Sequence, residues 1–172
     1  MELFEAIETR ASAARLTEPG PTPQHLARIL AAAERAPDHG RLRPWRLIVL
    51  NREGREKFAE ALVEARRKRA PEPTLEQLQL ERDKIWRSPT LIVVGCVVTP
   101  DHPKVPELEQ VLSAGAAVEN LFLAAHALGS GVMWKTGPGA YDGGVKASVG
   151  LSATDHIVAI AHLGTPLLRG PG

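Results

Sequence analysis

Between Pro106 and Leu128 the chain runs for about 22 residues with hardly a polar face. Proline opens the run where a helix needs no amide hydrogen. Val111, Leu112, Ala114, Ala117, Val118, Leu121, Phe122, Ala125 and Leu128 then fall all round a 3.6-residue turn. At 1.5 Å per residue such a helix is roughly 33 Å long. Glu107, Glu109, Glu119, Asn120 and His126 are too many polar groups for a membrane span, so protein has to cover it on every side. A chain of 172 residues has little material for that. The small residues Ser113, Ala114, Gly115, Ala116 and Ala117 would let a second helix approach closely, and a homodimer through this face is the expectation.

The rest of the chain reads as short strands separated by helices. Strands are expected near 45–50, 90–98, 130–136 and 156–163, the second apolar on both faces as a central strand should be. Leu3, Phe4, Ile7 and Ala11 mark an amphipathic helix over the first dozen residues. Thr22 and Pro23 cap a second helix with a Leu26, Ile29, Leu30, Ala33 stripe. Phe58, Leu62 and Ala65 mark a third. Pro71 and Pro73 break it, and Thr74 to Gln77 has the capping-box pattern of a fourth with Leu75, Leu78, Arg82 and Ile85 on one side. Residues 53–87 thus form a helical insertion between two strands, and 141–149 a last short helix. Length and element order give one domain, 1–172, of α/β or α+β class.

Composition removes several functions. Lys plus Arg number 21 against 20 Asp plus Glu, a net charge of +1, so no nucleic-acid partner is expected. The basic tail of the third helix, 66–69, is balanced by Glu53, Glu56, Glu60 and Glu64 and reads as a solvated face. The lone cysteine, Cys96, sits in an apolar run, which excludes a disulfide framework and points to a core residue. His25, His102, His126, His156 and His162 have no second ligand at metal spacing, so no metal is expected. The first residues lack a basic and then long apolar stretch, which makes a cytoplasmic location the expectation.

Polar chemistry gathers at three loops. Arg10 and Ser12 follow the first helix, a guanidinium and a hydroxyl suited to phosphate oxygens, although Arg10 could equally serve the helix dipole. Residues 35–45, RAPDHGRLRPW, pack Arg35, Asp38, His39, Arg41 and Arg43 between a helix and a strand. They could line an anionic or planar ligand or simply be solvated. Trp134, Lys135 and Thr136 end a strand before Gly137, a second candidate phosphate cradle. Neither a Walker A loop nor a GxGxxG strand-to-helix turn is present. Three such clusters on separate loops suggest one phosphorylated cofactor.

The motifs in this order resemble the nitroreductase family, in particular its small, YdjA-like, FMN-dependent members. TRASAARLTEPGPT resembles the family's N-terminal Arg-Arg-Ser motif, RAPDHGRLRPW its APDH…QPW loop, GSGVMWKTG its GxxWRSG strand and HLGTP its closing strand. The resemblance implies an α+β fold with a mainly antiparallel central sheet flanked by helices. It also implies a homodimer with the long helix as spine, two FMN molecules at the interface, and ping-pong hydride transfer from NADPH or NADH to a small electron acceptor such as a nitroarene or quinone. Carried onto this chain, Arg10, Ala11 and Ser12 would hold the phosphate and ribityl chain, and Trp134, Lys135 and Thr136 would bind from the same protomer. Arg10 and Lys135 would answer the phosphate charge, while Arg35 and His39 would reach the flavin of the partner. An FMN-binding carrier or sensor with little turnover is the alternative. The chain departs from the pattern at Ala11, at Ala14 and at Arg43, which stand where relatives carry arginine, a basic residue and glutamine. It also stops at Gly172, where many relatives extend around the partner, so a smaller dimer interface is expected.

Overall fold

The computed structural model describes residues 1–70 and 72–167. Five strands, β1 (Leu16–Thr17), β2 (Trp45–Val49), β3 (Thr90–Cys96), β4 (Gly131–Lys135) and β5 (His156–Pro166), form one antiparallel sheet. β3 lies between β2 and β5, β4 pairs with β5, and β1 pairs with the last residues of β5. The four expected strands are all present. β1 is an addition, two residues long with no run of side chains to betray it, and β5 continues to Pro166 where the sequence had suggested 163.

Helices cover both faces, the α+β arrangement expected. Along β3, Ile92 and Val94 point to one side and Leu91 and Val93 to the other, all fully buried. The first pair meets α2 (Pro23–Ala33) and α5 (Glu107–Ala127) through Ile29, Ala33, Val118, Leu121 and Phe122. The second meets α3 (Arg52–Arg69), the turn Lys84–Trp86 after α4 (Leu75–Asp83), and α6 (Gly143–Ser148) through Phe58, Leu62, Ile85 and Val145. The helical material expected at 53–87 is therefore α3 and α4. Of the proline pair expected to separate them, Pro71 lies outside the described residues, and Leu75 proves exposed while Ile85 is buried.

Local chemistry sets these boundaries. Thr22 accepts from the His25 amide, Asn51 from the Gly54 amide, and Thr74 and Gln77 complete the capping box. β3 bulges between Val94 and Gly95, and a Cβ at Gly95 would stand 2.8 Å from both methyls of Leu151, so any larger residue would force Leu151 to move. Arg55, buried on the first turns of α3, donates to the carbonyls of Leu50, Ser88 and Pro89 and so ties α3 to the end of β2 and the approach to β3.

Two expectations about coverage change. α1 (Leu3–Thr9) is shorter than a dozen residues, and Leu3, Phe4 and Ile7 face outward. On α5 the expected all-round burial fails along one stripe: Leu108 is 68% and Leu112 62% exposed, and a Cβ on Gly115 would meet nothing within 4 Å. The chain's own elements cover the other sides of the helix.

Candidate active site

β4 is the strand around which the expected residues gather. Its inner edge pairs with β5 along its whole length. On its outer edge, Ser12 forms a single parallel bridge with Val132 and the Ala13 amide donates to the Val132 carbonyl at 2.8 Å. Past Val132, that edge is bonded to no other described strand. Arg10, Ala11 and Ser12 are thus laid beside the strand that carries Trp134 and Lys135, and Thr136 follows directly. The Ser12 hydroxyl has no hydrogen-bond partner among the described residues, and Ala11 is exposed.

Pleating divides these residues between the two sheet faces. Trp134 pairs with Ala161 and points to the α5 side, where its ring meets Phe122 edge-on at 5.8 Å and its Nε1 donates to the Val158 carbonyl. Arg10 is on that same side, its Nε 3.7 Å from the Glu119 carboxylate of α5. Lys135 pairs with Ile160 and points the other way. With Thr136 it lines a partly open cavity of about 150 Å3 beneath α3 and the turn Lys84–Trp86. The structure therefore gathers both clusters at one strand edge but sets the two cations, Arg10 and Lys135, on opposite faces of it.

The third cluster lies elsewhere in the protomer. After α2 the backbone turns through Gly40 at φ 75°, with Arg41 and Arg43 also left-handed, and the Asp38 carboxylate accepts from the Arg43 amide. His39 Nδ1 lies 2.5 Å from Glu109 near the start of α5. Arg35 lines a shallow surface groove of about 260 Å3 with Asp38, Arg43 and Trp45. Glu109, beside His39, and Glu119, beside Arg10, are ten residues apart on α5, roughly 15 Å along the axis. Within one protomer Arg35 and His39 do not join the β4 edge.

The polar atoms left open at that edge suit a phosphorylated, planar cofactor. Among the described residues, a guanidinium holds only one distant carboxylate, a hydroxyl is unpartnered, a strand edge has unpaired backbone, and an indole is 39% exposed. A larger open cleft of about 730 Å3, between β1 and the start of α3, contains none of the expected residues.

Comparison with known proteins identifies the family. The model of the nitroreductase family matches residues 7–165. The chain belongs to the nitroreductase family. It is similar to YdjA of Escherichia coli (strain K12), 37% identical over 169 residues that make up 98% of this chain and 91% of YdjA. Among solved structures it is similar to a nitroreductase-like family protein from Bacillus cereus, at a TM-score of 0.80 and 26% identity over 100% of this chain and 89% of that one. A nitroreductase with bound FMN from Bacteroides fragilis has the same fold, at a TM-score of 0.75 and 22% identity over 100% of this chain and 94% of that one.

In this nitroreductase-family chain, one feature of the site escapes the sequence. Glu109 and Glu119 look like solvated charges of a helix, yet each holds a candidate binding residue in place. Away from that edge, His162 is a core histidine of β5, 2% exposed, and burial, with help from Arg87, Arg55 and Lys135, pushes its pKa down to about 4. Cys96 is the core residue expected, its thiol raised to about 11 chiefly by burial.

Proposed function

We propose that the chain is an FMN-dependent NAD(P)H oxidoreductase of nitroreductase type, working as a homodimer. YdjA is provisionally named as an NAD(P)H nitroreductase, and the Bacteroides fragilis relative binds FMN. The observation that carries the reading is the open outer edge of β4 flanked by Arg10 and Ser12. FMN, when bound, supplies the hydride chemistry, taking a hydride from NADPH or NADH and passing it in ping-pong order to a nitroaromatic, a quinone or a similar electron-poor acceptor. The chain supplies position and charge. Arg10 forks onto phosphate oxygens and Ser12 adds a hydroxyl donor, with Ala11 leaving room between them. Backbone at Trp134, Lys135 and Thr136 would offer donors to the ring, and Lys135 would supply a second cation across the strand from Arg10.

The uncovered stripe of α5 supports a role for the partner. Leu108, Leu112, Gly115 and Glu119 recur at helical spacing on the exposed face, and α1 adds Leu3, Phe4 and Ile7. Glu109 and Glu119 lie symmetrically about residue 114. Two α5 helices crossing antiparallel at that point, where Gly115 permits close approach, would bring Glu109 of the partner subunit beside Glu119 of this one. His39 of the partner subunit, and Arg35 behind it, would then stand next to Arg10. That arrangement completes each site with residues of both chains, and Arg43, in place of the family's glutamine, adds a further cation to the partner's loop.

Stopped-flow spectroscopy of the purified protein tests this reading. Yellow protein bleached at the flavin bands by NADPH or NADH, then recoloured by a nitroarene or quinone, with parallel double-reciprocal plots, is the expected result. Flavin that binds yet stays oxidised would mean a carrier or sensor, and protein that takes up no FMN would remove the flavin reading altogether.

A further inference from the structure

The partly open cavity of about 150 Å3 behind β4 has a composition of its own. Leu62, Ile85, Pro138, Ala140 and Ile160 give it apolar walls. A cavity of about this size with such a lining takes a single benzene-sized ring. One polar group is built into its floor. The Ser88 hydroxyl donates its only proton to the Thr90 carbonyl at 2.8 Å, so at 2.9 Å from His162 Nδ1 it can only accept. Nδ1 therefore carries the ring proton and Nε2 keeps its lone pair. No described residue donates to that nitrogen, and it is not sealed away from solvent, since no fully buried side-chain nitrogen or oxygen among the described residues lacks a partner. His162 lines the cavity. The low pKa of His162 agrees with a neutral ring throughout the physiological range.

The mouth is cationic. Lys84 is matched by Glu81 at 2.6 Å, whereas Arg87 and Lys135, which line the same cavity, have no carboxylate within 4.0 Å among the described residues. A ligand that fills this space must therefore be one ring wide, donate a hydrogen bond at its inner end and carry negative charge at its outer end.

We propose that this cavity is a second ligand site, for a monocyclic aromatic acid bearing a hydroxyl para to its carboxylate. The hydroxyl donates to His162 Nε2, the ring packs between Leu62, Ile85 and Ile160, and the carboxylate meets Arg87 and Lys135. Its acceptor His162 lies on β5, and Leu62 and Ile85 belong to α3 and the turn Lys84–Trp86, whereas Lys135 is shared with the proposed cofactor site on β4.

Calorimetry on the purified full chain at pH 7, with 4-hydroxybenzoate, benzoate and phenol as probes, tests it. 4-Hydroxybenzoate should bind about tenfold more tightly than either truncated probe, the effect of one good hydrogen bond or one charge contact. His162→Phe should abolish the advantage of the hydroxyl while leaving FMN content unchanged. Nitrogen NMR of the histidine rings in the unsubstituted protein gives the same answer without relying on the variant: 4-hydroxybenzoate should shift Nε2 of His162 and leave Nδ1 protonated. Equal affinity for all three probes, or no heat and no change at Nε2, would overturn the proposal. Either result is independent of whether NADPH reduces bound flavin.

Discussion

Arg10 ends α1 with its guanidinium held by a single, half-exposed carboxylate at 3.7 Å, a contact that a phosphate dianion can readily displace. A charge-assisted bond of about 1.5 to 3 kcal/mol corresponds to roughly a 10- to 150-fold change in affinity, so Arg10→Ala should weaken FMN binding by that order in a flavin-fluorescence titration. Arg10→Lys should recover only part of it, because an ammonium keeps the charge but loses the fork. An unchanged Kd in both variants would place the phosphate elsewhere. His162 makes a prediction of opposite character, about the fold. Its pKa is about 4 in the folded chain and near 6.5 when unfolded, so between these values the unfolded chain binds more protons. The neutral ring's contribution is intact above pH 6.5 and is lost as the pH falls toward 4, to a total of about 3 kcal/mol. Urea midpoints measured from pH 7 to pH 4 should fall, and less steeply in His162→Phe. Arg10 was legible because its chemistry and its place at a helix end can both be read locally. The tautomer of His162 was not, because its proton is positioned by Ser88, seventy-four residues away.

The elements themselves were readable wherever a period and a cap agreed. β3 announced itself as apolar on both faces, and α2 and α4 by Thr22 and Thr74, whose side chains do cap them. What could not be read was pairing. β1 has two residues, too few for any alternation, and exists because β5 runs on to Pro166 and offers it an edge. Charge was also misleading in places. Arg55 lies in a helix whose other arginines face water, yet it is 7% exposed, donates to three carbonyls and stacks against Trp86 at 5.6 Å. It fastens α3 to both strands that flank the 53–87 helices. Arg55→Met keeps the stem but leaves those carbonyls short of donors, and should cost about 3 kcal/mol in chemical denaturation. Arg55→Lys should be nearly as damaging, since three rotating protons on one nitrogen cannot span the three acceptors. A loss under 1 kcal/mol for Arg55→Met would mean that apolar packing alone holds α3 in place.

For the whole molecule, the question is what covers α5. The sequence required cover on every side, and the fold provides it everywhere except along Leu108, Leu112 and Gly115, beside the outward-facing Leu3, Phe4 and Ile7 of α1. In the proposed homodimer, a two-fold axis through the middle of α5 would cover this apolar face and bring the two polar clusters together. The same operation accounts for an otherwise awkward spacing: Arg10 and His39 are held by carboxylates ten residues apart on one helix, too far to share a ligand within a protomer, but adjacent once two helices run antiparallel. Association and cofactor binding should then fail together. Leu112→Asp puts a charge on a residue that is 62% exposed in the single chain, so the protomer should fold normally while the apolar face repels its copy. Light scattering coupled to size exclusion should show a dimer for the unsubstituted protein and a monomer for the variant. The variant should also lose most of its FMN, because Arg35 and His39 of the partner subunit are no longer at hand. A monomeric Leu112→Asp protein that keeps FMN at full affinity would mean that one chain builds the whole site and that the loop at 35–45 serves another purpose.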